Sequence, residues 1–227
     1  MGNGRVDRER QILDVAASLF RERGYQGMRM DDLAATVNLN KGTLYHYFPS
    51  KAELLYRIYR DTAKEFLERI RLHPADAPAD QLITMLIHDI AAAIGERRDY
   101  VTVFFQEMQW LDKWLPAEQF EEIDGLQAEF RNYVTGVIER GIKAKIFRPV
   151  DAAVATFGLI GMVGWTYQWY TPGGRRSLDD VADIFSDMVL AAFGADPAKA
   201  GGGTKTRSAG TTKARAAAKS RAGSGQR

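Results

Sequence analysis

The 227-residue chain contains no cysteine and only three histidines, His46, His73 and His88. The absence of cysteine excludes disulfides, zinc–thiolate sites and a cysteine nucleophile. No two histidines are four residues apart, so the sequence predicts no metal site. It also lacks a glycine-rich phosphate loop and any serine, histidine and aspartate grouping, so we expect neither a cofactor nor an enzyme.

Long apolar runs are also scarce. The first ten residues, MGNGRVDRER, have no apolar signal-peptide core, and we therefore expect a cytoplasmic protein. Residues 152–170 carry no charge and approach the length of a membrane span. Because the neighbouring segments have ordinary amphipathic patterns, we interpret this one as a buried central helix and expect no membrane contact.

An excess of positive charge is lacking in most of the chain and is found only at its end. Residues 196–227 hold eight lysines and arginines and one acid, which leaves 23 basic and 28 acidic residues before them. A nucleic-acid site on this mildly acidic body must therefore be a local patch. Residues 195–227 contain no large apolar side chain, so we predict that they form a disordered basic tail.

Helical periodicity dominates residues 1–194, with no alternating strand pattern and no internal repeat. Gly24 is placed to end the first amphipathic helix, and Ser50 with Glu53 has the pattern of a capping box that opens a long helix. The prediction is an all-α fold. An N-terminal helix-turn-helix three-helix domain occupies residues 1–55, and a C-terminal helical ligand-binding and dimerisation domain occupies residues 56–194.

The segment that carries the functional argument is residues 30–48, MDDLAATVNLNKGTLYHYF. It predicts two short helices joined by a tight turn, in which Asn38 tolerates positive φ and Asn40 caps the second helix. The candidate DNA-binding residues combine cations, hydroxyls and small side chains near the start of that helix. They are Arg29, Asn40, Lys41, Gly42, Thr43, Tyr45, His46 and Lys51.

These residue types suit DNA for separate reasons. Free amides at a helix N-terminus and lysine favour phosphate, and Gly42 lets the backbone approach closely. Thr43 can contact a base edge or a thymine methyl, and Tyr45 and His46 can reach phosphate oxygens. The alternative is that the aromatic residues pack the small domain and Lys51 is a solvated cap residue. On that interpretation the chain is an interaction protein that uses the motif only as a packing unit and does not bind DNA.

Residues 8–60 resemble the N-terminal domain of the tetracycline-repressor (TetR) family of bacterial transcription regulators. The resemblance is carried by Ala16, Phe20, Gly24, Tyr25, Asp32-Leu33-Ala34, Lys41-Gly42-Thr43-Leu44-Tyr45, Phe48-Pro49-Ser50-Lys51 and Leu54. It implies a homodimeric repressor whose C-terminal helices bind a ligand and form the dimer. The chain departs from the family pattern at Arg29, where the family often has a serine or threonine cap, and we assign Arg29 to phosphate contact instead.

The second half of the chain is rich in aromatic residues on predicted helices, which is typical of an apolar pocket or of plain core packing. The candidate ligand-binding residues are Phe104, Glu107, Met108, Phe157, Trp165, Gln168 and Trp169. The run from Trp165 to Gly174 is similar to a TetR subgroup whose effectors are acyl-coenzyme A thioesters of fatty acid or sterol breakdown. Arg97-Arg98 and Arg175-Arg176 are candidate phosphate contacts, with solvated loop charges as the alternative.

The sequence therefore predicts a ligand-responsive transcriptional repressor that an apolar effector, an acyl-coenzyme A first, releases from a palindromic operator. A regulator of efflux that responds to lipophilic drugs is the alternative. The partners expected are double-stranded DNA with an inverted repeat, the small effector and a second copy of the chain. We expect residues 152–170 and 178–193 to pair with their symmetry mates in a four-helix interface.

Overall fold

The computed structural model describes residues 3–194, and every regular element within that range is helical. The helices are α1 (Asn3–Gly27), α2 (Met30–Thr36), α3 (Lys41–Tyr47), α4 (Lys51–Arg71), α5 (Ala79–Glu96), α6 (Arg98–Gln106), α7 (Leu111–Trp114), α8 (Ala117–Lys143), α9 (Ala152–Gly164), α10 (Thr166–Trp169) and α11 (Leu178–Ala192), with a 3₁₀ turn at Met108–Trp110. The all-α prediction is confirmed. The predicted basic tail lies outside the described residues.

None of the helices in residues 3–194 is both long enough and apolar enough to cross a membrane. The uncharged segment instead divides into α9 and α10 and does not form the single helix predicted over 152–170. Gly164 ends α9 and packs so tightly against Phe105 that a methyl group there would lie 2.6 Å from the ring. The helix is interrupted at Trp165, and α10 begins at the next residue.

Helices α1, α2 and α3 form a small N-terminal domain around Leu33, Leu44 and Phe48, whose side chains are completely buried. Two local predictions are confirmed here. Asn38 adopts a φ of 53°, which closes the turn between α2 and α3. The Oδ1 of Asn40 accepts a hydrogen bond of 2.8 Å from the backbone N–H of Thr43, and this cap fixes the start of α3.

The long helix α4 connects this domain to the rest of the molecule. It begins where the hydroxyl of Ser50 accepts a hydrogen bond from the backbone N–H of Glu53, but the carboxylate of Glu53 does not complete the capping box. That carboxylate accepts instead from the side chain of Gln119 on α8. At 21 residues, α4 is about 30 Å long, so it reaches from the N-terminal domain to the far end of the core.

Helices α9 and α11 expose a row of large apolar side chains. The exposed residues are Val154, Phe157, Ile184 and Met188. Gly158 and Gly161, on the same helix as Val154, have open space where a side chain would stand. An apolar face with room for close backbone approach is a surface that a second helix pair can cover.

Candidate DNA-binding surface and ligand cavity

Helix α3 presents most of the predicted DNA contacts to solvent. Lys41, Gly42, Tyr45 and His46 are exposed, and Thr43, whose backbone N–H donates to the Asn40 cap, is half-buried. The buried Leu44 anchors the opposite face of the same helix. The arrangement leaves the N-terminal turn of α3 free to enter a groove while its core face stays fixed.

Two predicted phosphate contacts lie beside an acid. The ammonium of Lys41 forms an ion pair of 2.9 Å with Asp31. The exposed Arg29 directly precedes α2 and lies two residues before Asp31 in the chain. The hydrogen bond from Lys41 is the main cause that lowers the pKa of Asp31, and the positive charge of Lys41 is the second. Asp31 is therefore ionised at neutral pH. Asp31 therefore competes with DNA phosphate for the same ammonium group.

Lys51 is less available than the sequence indicates. Its ammonium donates a hydrogen bond of 3.2 Å to the carbonyl of Met28 and lies 4.5 Å from the centre of the Tyr25 ring. Burial lowers the pKa of Lys51. The side chain therefore holds the connection between α1 and α2 against the start of α4, in addition to any contact with DNA.

An apolar cavity of about 120 Å³ lies between α4, α5, α6, α8 and α9. Its walls are formed by twelve residues, of which ten are apolar. They are Ala63, Phe66, Ile90, Phe104, Phe105, Met108, Leu126, Gln127, Phe130, Arg131, Phe157 and Ile160.

Three of the seven predicted ligand contacts, Phe104, Met108 and Phe157, line this cavity. The other four do not. Trp165, Gln168 and Trp169 are exposed on and beside α10, and none of them belongs to the cavity wall. Glu107 is buried, with 4% of its surface exposed, and faces the N-terminal domain.

The polar residues of the cavity are Gln127 and Arg131, both on α8, and neither was among the predicted contacts. Their spacing of four residues beside the inward-facing Phe130 is the sequence signal that could have found them. The predicted cations Arg97 and Arg98 are engaged elsewhere. Arg97 forms an ion pair with Glu65, and Arg98 donates to the carbonyl of Tyr170. Arg175 and Arg176 lie in the exposed loop before α11.

The cavity is joined to the N-terminal domain by buried contacts of α6. The ring of Phe104 stacks on Tyr59 of α4 at 5.0 Å, and the Tyr59 hydroxyl donates a hydrogen bond of 2.6 Å to the Phe104 carbonyl. Burial raises the pKa of Tyr59 well above its ordinary value, so this hydroxyl stays protonated and remains a donor. Three residues later, the carboxylate of Glu107 accepts from the backbone N–H of Tyr25.

Comparison with known proteins gives matches over both halves of the chain. The repressor KstR2 of Rhodococcus jostii (strain RHA1) is 29% identical over 191 residues, which cover 83% of this chain and 92% of KstR2. The solved structure of the ketosteroid transcriptional regulator KstR2 of Mycobacterium tuberculosis superposes with a TM-score of 0.75 at 25% identity, covering 82% of this chain and 94% of that chain. AibR, solved in complex with isovaleryl coenzyme A and operator DNA, superposes with a TM-score of 0.71 at 25% identity, covering 81% and 98%.

Two family descriptions match the chain itself. The N-terminal region of the tetR family of bacterial regulatory proteins matches residues 12–58. The tetracyclin repressor-like C-terminal domain matches residues 75–193, which is more than half of the chain. Together with the exposed recognition helix and the apolar cavity, these matches show that the chain belongs to the tetR family of bacterial transcription regulators.

Proposed function

We propose that this regulator is a cytoplasmic homodimeric repressor that binds a palindromic operator through residues 1–55 and is released from it by an acyl-coenzyme A bound in residues 56–194. The observation that carries the proposal is the position of the apolar cavity. Ala63 and Phe66 of its wall belong to α4, the helix that leads directly into the DNA-binding domain. A ligand in the cavity therefore contacts the element that positions the recognition helix.

The polarity of the cavity supports an apolar ligand with an anionic group. Its charged wall residue is the cation Arg131, and no carboxylate lines it. Glu107, the acid that a cationic drug would need as a counter-charge, is engaged with Tyr25 on the other side of α6. This arrangement favours an acyl-coenzyme A over the lipophilic cations of the efflux interpretation. The coenzyme A ligand of AibR supports the same choice.

A ligand can move the repressor off DNA only by binding its two states with different affinity. We infer that filling the cavity displaces α6 and α4 relative to each other near Phe104, and that α4 transmits this displacement to α3. The two recognition helices of a dimer then no longer match two major-groove half-sites one helical turn apart. By reciprocity, operator DNA must weaken ligand binding by the same factor.

The dimer is supported by the apolar face of α9 and α11. Val154, Ile184 and Met188 are exposed there, and Gly158 and Gly161 leave space for close approach. Pairing this face with its symmetry mate would bury these side chains and place the two N-terminal domains for an inverted repeat.

The test is the titration of acyl-coenzyme A thioesters of graded chain length into a complex of the protein with DNA from upstream of its own gene. We expect affinity to rise by about fourfold for each added methylene until the cavity is full, since each buried CH₂ contributes about 0.8 kcal/mol. Thr43→Ala should reduce the preference for operator over unrelated DNA. Release by a lipophilic cation but by no thioester would replace this proposal with the efflux interpretation.

A further inference from the structure

The two polar residues of the cavity stand on one face of α8. Gln127 and Arg131 are four residues apart, so their side chains are neighbours along the helix surface. Leu126 and Phe130 flank them and belong to the same cavity wall. A ligand lying along this wall therefore passes one amide and one cation within a single helical turn.

Gln127 has an unused hydrogen-bond donor. Its Nε2 is shielded from solvent and has no acceptor among the described residues. A buried donor without a partner is costly to the folded state, and neighbouring apolar walls supply none. An oxygen atom of a bound ligand is the partner that this position lacks.

Arg131 is only loosely engaged. Its guanidinium is partly exposed and forms an ion pair with the exposed Asp124 at 3.4 Å, which is long for a charge-assisted hydrogen bond. Met108, which also lines the cavity, is exposed to solvent and marks its open side. A ligand oxygen entering there can recruit Arg131 from a weak surface pair.

We propose that Gln127 and Arg131 select the effector: Gln127 donates through Nε2 to the acyl carbonyl oxygen of a thioester, and Arg131 donates to an amide carbonyl oxygen of the pantetheine arm that follows it. The inference rests on the proposed function and adds which atoms of the ligand are recognised. A pocket that hydrogen-bonds one oxygen discriminates strongly against analogues that lack it, because its own donor is then left unpaired. The acyl chain occupies the apolar remainder of the cavity.

The test compares octanoyl-coenzyme A with S-octyl-coenzyme A, a thioether that lacks the carbonyl oxygen, by calorimetric titration. The wild-type protein should bind the thioester about tenfold more tightly, a difference of about 1.4 kcal/mol. Gln127→Leu should abolish this preference and leave the affinity for the thioether unchanged. Asn132→Leu, the same replacement type at an exposed position of α8 outside the cavity, should keep the full preference.

Arg131→Gln should weaken octanoyl-coenzyme A by about tenfold, because it removes the charge-assisted hydrogen bond to the pantetheine carbonyl oxygen. Equal binding of thioester and thioether by the wild type, or an undiminished preference in Gln127→Leu, would overturn the assignment of Gln127 while leaving the proposed function standing. Binding of neither compound would overturn the proposed function itself. If free octanoate binds tightly and octanoyl-coenzyme A does not, the oxygen that accepts from Gln127 belongs to a carboxylate. That result would overturn the proposal that Gln127 recognises a thioester.

Discussion

The carboxylate of Glu107 accepts a hydrogen bond of 2.9 Å from the backbone N–H of Tyr25. The two residues belong to different domains and are 82 positions apart in the chain. Tyr25 follows Gly24, whose φ of 69° breaks α1, and its ring stacks on Trp114 at 4.4 Å. Because the cavity residue Met108 is the next residue after Glu107, one short segment touches both the ligand site and the N-terminal domain.

Glu107→Leu should separate ligand binding from DNA release. It leaves the Tyr25 N–H without its acceptor, so we expect the free energy of unfolding to fall by about 1–3 kcal/mol. Octanoyl-coenzyme A should still bind, but its effect on operator affinity should shrink. Both are measured by anisotropy titrations with and without the thioester. Glu107→Gln keeps an acceptor oxygen and serves as the control, and full ligand-induced release in Glu107→Leu would show that the coupling follows another path.

Stability should depend on pH through Glu107. Burial raises its pKa above the ordinary value of 4.5, so the folded protein holds this proton more tightly than the unfolded chain. The resulting stabilisation is present below 4.5 and is lost as pH rises through the folded pKa. Urea unfolding should therefore show Glu107→Gln gaining stability relative to the wild type between about pH 4 and pH 7. A constant difference across that range would contradict this.

Asp31→Asn should strengthen DNA binding. It removes the acid that pairs with Lys41 and frees that ammonium for phosphate. We expect operator affinity to rise by about three- to fivefold at low salt, with a smaller gain at high salt because the pair is exposed and screened. Glu139→Gln removes the same charge from an exposed position on α8 and should have little effect. If operator affinity rose equally in both variants, the effect of Asp31→Asn would come from the change in net charge and not from the release of Lys41.

Val154→Glu should weaken the dimer. Val154 is 68% exposed in a single chain, and pairing of α9 helices would bury the new carboxylate without a partner. Sedimentation equilibrium should show the dissociation constant of the dimer raised by at least about tenfold, with a parallel loss of operator affinity. Leu72→Glu makes a similar change at a position 83% exposed at the end of α4 and should remain dimeric. A stable Val154→Glu dimer would place the interface elsewhere.

Deletion of residues 196–227 should change how binding depends on salt. The segment carries eight cations and one acid, so its loss should lower non-specific affinity and reduce the slope of log affinity against log salt by about 0.9 for each phosphate it contacts. Filter binding over a salt series measures the slope. Loss of the preference for operator over unrelated DNA would show that the segment contributes to sequence recognition.

The sequence by itself determined the all-α fold and the local structure of the DNA-binding domain. Apolar periodicity, the positive φ of Asn38 and the cap by Asn40 each involve residues within about one helical turn of one another. Contacts of that range are fixed by the covalent chain and by backbone hydrogen bonding, so their pattern is visible in the order of residues. Ser177 and Asp180 form a capping box at the start of α11, another contact within one helical turn.

Only the tertiary structure decided which side chains meet in the cavity. Trp165 and Trp169 fit an aromatic pocket as well as Phe104 does by residue type, but they are exposed and do not line it. Glu107 is turned to the Tyr25 backbone, and the Nε2 of Gln127 is shielded from solvent with no acceptor among residues 3–194. Whether a polar group is buried depends on how several helices that are distant in sequence rotate and pack together. No local sequence pattern encodes that combined arrangement.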